Sequence, residues 1–170
     1  MSFLAERDMA QAALAYEGTE HGPAFPPVAA RMRAARQALG LSLEDFAKAH
    51  DVVAGRQFDF ELDDSAIFCA VRIAALSDFA DSLGLPVFTL LFGEQPKRAI
   101  RPVTYIDVVN AIERKAGEPG VDALSEVVGW DLQPVVEDPS RLGALSLKGL
   151  FDLCRALGLD WLGVLAATCQ

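Results

Sequence analysis

Groups able to do chemistry are scarce in this chain of 170 residues, which has two histidines, His21 and His50, and three cysteines, Cys69, Cys154 and Cys169. The histidines stand apart. No HExxH, no GxSxG and no phosphate-binding loop occurs, and no carboxylate pair at helical spacing comes with a base. His50 closes a helix-like run, where an imidazole interacts with terminal carbonyls, and His21 lies among Gly and Pro. The cysteines are odd in number, without CxxC spacing, and two of them sit inside apolar helical runs where a reduced thiol packs as a small hydrophobe. Neither an enzyme nor a metal or cofactor site is expected. Long apolar runs are missing too. The stretch from Ser82 to Gly93 is too short to cross a bilayer, and the amino terminus has no basic region followed by an apolar one, so the expectation is a soluble, cytoplasmic protein without membrane contact. Positive charge is in short supply, with 15 basic against 24 acidic residues and a net charge of −9. That balance repels nucleic acid at long range, although cellular salt screens charges beyond about 8 Å and leaves the decision to local patches.

What the chain does have is a repeat. LGLPVFTLL, Leu83 to Leu91, returns as LGLDWLGVL, Leu157 to Leu165. Upstream, Ile73, Leu76, Phe79 and Leu83 fall opposite Leu147, Leu150, Leu153 and Leu157 without a gap. Keeping apolar type while most polar residues change is the mark of inherited packing, so one small helical unit is expected to occur twice.

Spacing and punctuation divide the chain further. Residues 1–27 read as a short helix, Phe3 to Tyr16, followed by a Pro/Gly linker. Residues 28–94 form the first unit. Val28, Met32, Ala35 and Leu39 share one helix face that Gly40 ends in a left-handed cap. Ser42 caps a second helix with Glu44 and Asp45 in its first turn, where carboxylates suit the positive end of the dipole. A break near Asp51 to Gly55, a short segment to Leu62, an acidic turn at Asp63 and Asp64, a helix through Ile73 to Leu83 and a closing turn to Phe92 follow. Residues 95–102, with Pro96 and Pro102 and the cations Lys97, Arg98 and Arg101, read as a semi-stiff connector. Residues 103–170 repeat the plan. Ile106, Val109 and Ile112 lie on its first helix and Leu124, Val127 and Val128 on its second. Pro134 and Pro139 leave no room for a full third helix, and Leu147 to Leu157 with the Trp161 turn closes the unit. Period-two alternation is scarce, so the fold class is all-α.

The string RAARQALGLSLEDFA, Arg33 to Ala47, resembles the opening of the lambda-repressor-like, or XRE, helix-turn-helix family. Counting on from Val52, the family's aromatic-plus-Glu pair falls on Phe60 and Glu61, and LSLKGLFDLCRALGLDWLGVL, Leu145 to Leu165, is similar to its carboxyl-terminal half. The resemblance covers Val28 to Glu94 and Val103 to Ala167. It implies two tandem lambda-repressor-like five-helix bundles behind a short amino-terminal helix, with the second degenerate.

The resemblance also implies a transcriptional regulator whose third helix enters the major groove of double-stranded DNA. Arg31, Arg33, Arg36, Lys48 and Arg56 would then contact phosphates, and Arg56 with Gln57 would read bases; the first-helix arginines can equally form a solvated face. Asp59, Asp63 and Asp64 crowd the same segment and oppose phosphate, while Glu61 stands where the family has a structural Glu. In the second unit Asp131 to Asp138 offers Gln133 alone as a reader. Trp130, Val135 and Val136 there either fill the core or form an apolar interaction patch. A homodimer follows by family analogy. The alternative is a helix-turn-helix-derived interaction factor, such as an antitoxin, anti-repressor or phage-type regulator, that binds a basic protein through the acids around Phe58 and Phe60.

Overall fold

The computed structural model describes residues 27–50 and 54–169, and the described residues are helical apart from turns, connectors and a single isolated bridge. The helix expected over Phe3 to Tyr16 and the turn at Val52 lie outside them. The chain has an all-α fold, and no described helix is long and apolar enough to cross a membrane.

Helix α1, Val28–Ala38, turns Val28, Ala29, Met32 and Arg36 inward, and it stops where Gly40 takes φ +71°, a left-handed value that suits glycine. In α2, Leu43–Ala49, the Ser42 hydroxyl accepts from the Asp45 amide at 3.0 Å, satisfying a donor that the first turn leaves unpaired. Helices α3, Ala54–Phe60, and α4, Ala66–Ala70, follow, the second after the acidic turn.

A continuous helix from Ile73 to Leu83 does not form. Val71 and Arg72 are extended, Ile73–Ala75 is a 3-10 turn, and α5 occupies Leu76–Ser82. The Ile73 amide, a donor that a first helical turn leaves unpaired, donates to the Leu145 carbonyl of the second half at 2.9 Å. Helix α6, Val87–Phe92, completes the first half. Phe46, Phe60 and Phe79 are fully buried and meet edge-on at Phe79, with ring centroids 6.2 Å and 5.9 Å apart.

In the second half α7, Tyr105–Ala116, opens with a capping box in which Thr104 and Asp107 each accept from the other's backbone amide. Its inward residues are Val108, Val109, Ile112 and Ala116, while Ile106 is exposed. At 100° per residue Ile106 sits about 110° from the centre of the buried arc, which accounts for its exposure. Helix α8, Gly120–Val128, buries Leu124 and leaves Val127 facing water. Helix α9, Gln133–Glu137, has five residues, as the prolines foretold. A 3-10 turn, Pro139–Ala144, then leads to α10, Leu147–Leu157, and α11, Trp161–Thr168. Two clusters of buried side chains result, one centred on Phe46, Phe60 and Phe79, the other on Val108, Ile112, Leu132 and Leu153. Trp161 packs against both, beside Phe68, Phe92 and Phe151.

Candidate interaction surface on the third helix

Helix α3 has two unlike sides. Its inner side carries Gln57 and Phe60, both at 0 % exposure, and is followed by Glu61 at 3 %. Burying a carboxylate is costly unless charge and hydrogen bonds compensate, and here both do. Arg36 reaches from α1 with a two-pronged contact, Nε to Oε1 at 2.6 Å and Nη2 to Oε2 at 2.8 Å, and its third nitrogen donates to the Leu41 carbonyl at 2.6 Å. The Gln57 amide donates to Oε1 at 3.0 Å, and Arg33 donates to the Glu61 carbonyl at 2.5 Å. Burial alone would push the Glu61 pKa up, but the hydrogen bonds from Arg36 and Gln57 and the Arg36 charge outweigh it and leave it below the usual value. Arg36 is shifted upward, chiefly through its bond to Glu61.

These contacts commit three of the six residues expected to touch DNA, Arg31, Arg36 and Gln57, to partners within the fold. Gln57, taken as a base reader, is sealed inside against Glu61. Arg36, taken as a phosphate contact, is nine-tenths buried in the ion pair. Arg31 donates to the carbonyls of Leu90 and Leu91 at 2.8 and 2.7 Å, satisfying acceptors in the last turn of α6. Arg33 is half-exposed with one arm committed to Glu61, and Lys48 is exposed. Arg56 lies on α3, but its side chain is outside the described residues.

The outer side of α3 shows Gly55, Phe58, Asp59 and, just past its end, Leu62 and Asp63. Phe58 is 50 % exposed and Leu62 58 %, four residues apart and therefore neighbours on one ridge, beside the parallel pair Asp59 and Asp63. Sequence alone pointed to Phe58 and Phe60 together, but Phe60 is core and Leu62 takes its place. The fourfold spacing of Phe58 and Leu62 was the available signal. Asp64, expected to be a liability, accepts from the Ala29 amide at 2.8 Å and serves the start of α1. Asp63 accepts from the Ser65 amide and hydroxyl and holds the turn.

In the second half Trp130, Val135 and Val136 join the core. Val135 is buried and the other two are half-buried against the second cluster, so they form no open patch. Gln133 is exposed and donates to Glu137 on its own helix at 3.3 Å. His50 ends α2 with its ring 4.3 Å from that of Phe46. Cys154 is core, its thiol pushed up to about 12 by burial. Among the described residues no group of His, Cys, Asp and Glu is arranged to hold a metal ion.

Lowered proton affinities at His50, Glu61, Asp107 and Asp138 set a pH response of one sign, the last two through hydrogen bonds from Thr104 and Ser140. Burial lowers the His50 pKa below 6.5, and the Arg36 and Gln57 contacts hold Glu61 below 4.5. All four bind protons less readily in the folded chain, so stability is complete above their ordinary values and declines as pH falls through the lowered ones. Urea midpoints should therefore hold steady from pH 8 to 7 and drop in two stages on acidification. A midpoint that rises toward pH 5 contradicts the assignment.

No family model, curated protein or solved structure matches this chain.

Proposed function

We propose that the chain is a helix-turn-helix-derived interaction factor, of the antitoxin, anti-repressor or phage-type kind, that docks a basic protein on the outer side of α3. The observation that supports this reading most is the split between inward and outward side chains around α3. Gln57 of α3 and Arg36 of α1 are buried against Glu61 and Arg31 is bonded to the carbonyls of Leu90 and Leu91, while Phe58, Asp59, Leu62 and Asp63 face outward. The buried Arg36–Glu61 pair fits the structural Glu that the family resemblance implies, so the scaffold suits a helix-turn-helix ancestry. An apolar ridge beside carboxylates, on a chain of net charge −9, complements a cationic protein surface and repels phosphate. DNA binding is the competing reading, and it rests on exposed Lys48 and half-exposed Arg33.

Tagged full-length chain expressed in its native cell should retain a partner that, once purified, binds with an affinity that weakens as salt rises. Phe58→Ser/Leu62→Ser should reduce that affinity by about thirtyfold or more, since each side chain buries apolar area worth roughly 1.5–3 kcal/mol when covered. Val127→Ser, at an 80 % exposed position on α8, should leave it unchanged. Equal binding by all three proteins removes α3 as the docking face. Duplex binding that falls by several powers of salt concentration and is abolished by Lys48→Ala restores the DNA reading.

A further inference from the structure

The two halves meet in a way that individual helices do not suggest. The isolated antiparallel bridge joins Arg72 to Ser146, and these residues are seventy-four positions apart, the same offset as Leu83 from Leu157. Each therefore pairs with its own counterpart in the repeat. Self-pairing across an antiparallel contact is what a two-fold axis produces, because the operation that carries one residue onto the other also carries the second back onto the first.

Packing on either side of the bridge obeys the same operation. Helix α4, Ala66–Ala70, packs on α10, and the 3-10 turn Pro139–Ala144 packs on the 3-10 turn Ile73–Ala75. Adding the offset to α4 gives residues 140–144, and adding it to the first 3-10 turn gives the start of α10, so one contact is the image of the other. The residues that follow the bridge are exchanged. Ile73, from the first half, is 1 % exposed within the second cluster, and its counterpart Leu147, from the second half, is fully buried within the first. Close approach at the seam is helped by Gly143, where a Cβ would stand 2.9 Å from that of Ala74.

We infer that the chain is a covalently joined two-fold dimer of one helical unit, in which the seam around Arg72 and Ser146 is a dimerisation surface already occupied from within. A second copy has no vacancy to fill there. The chain works as a monomer carrying one α3 face, and the second unit's role is to complete the first unit's core.

Light scattering coupled to gel filtration, together with hydrogen exchange on the full chain, tests the inference without knowledge of any partner. The wild type should run with the mass of one 18.3 kDa chain across micromolar concentrations. Ile73→Ala should speed exchange in α7 and α10 by tenfold or more, and Leu147→Ala should do the same in α1, α5 and α6, each lesion acting on the opposite half. A wild-type particle of twice the mass, or faster exchange confined to the half that carries the substitution, overturns it.

Discussion

Glu61→Ala is expected to cost about 3–5 kcal/mol, among the largest effects of any single substitution here, because it strands a buried cation without removing it. Arg36 would keep its bond to the Leu41 carbonyl but lose both contacts to the carboxylate, and the Gln57 amide would lose its acceptor inside the core. Urea denaturation should show a lowered midpoint with an unchanged slope. The companion variant Arg36→Met/Glu61→Leu removes both charges and refills the space, and it should recover most of the loss, since apolar replacement of a buried pair is often close to neutral. If the double variant is as unstable as the single one, the pair has a role beyond charge compensation. A loss below about 1 kcal/mol in the single variant would show that water reaches the site.

Phe79→Ala is expected to cost a similar amount, about 3–5 kcal/mol, for a different reason. Phe79 on α5 is fully buried and touches Phe46 from α2 and Phe60 from α3, both edge-on, so its removal opens a cavity where three helices converge. The outward set of α3 rests on that floor, because Phe60 is the inward neighbour of Phe58, Asp59 and Leu62. Partner affinity should therefore fall together with stability and should be partly regained with Phe79→Leu. Phe58→Ala, which removes a ring of equal size from a half-exposed position, should change stability by less than about 0.5 kcal/mol while weakening the partner. Parallel effects of Phe58→Ala and Phe79→Ala on stability would contradict the two-sided description of α3.

What was legible in the sequence was local. Gly40 as a left-handed stop, Ser42 as a cap, the short α9 with Pro134 in its first turn and Pro139 beyond its end, and the closing α10 all depend on residues within a turn or two, and periodicity with turn chemistry reads them. What was not legible depends on residues far apart in the chain. Nothing near Gln57 announces that it points at a buried Glu61, which is buried only because Arg36, twenty-five positions earlier, lies opposite. The 3-10 turn at Ile73–Ala75 was read as part of a helix because the segment it meets, around Leu145, lies in the other half. That Ile106 and Val127 face water was not legible, because an apolar residue on a helix has no mark of its own that says which side it occupies. On the outer side of α3 the acids and Phe58 were visible, and Leu62 was signalled by its spacing of four from Phe58, whereas the burial of Phe60 required the fold.

The connector between the halves runs through exposed Lys97, Arg98 and Ala99. Severing it there would yield two polypeptides that each lack an interior residue supplied by the other, Ile73 in one direction and Leu147 in the other. Such fragments are expected to complement each other when mixed. The peptide bond between them thus acts mainly through local concentration, setting how fast the halves meet, while their cohesion resides in the shared interior.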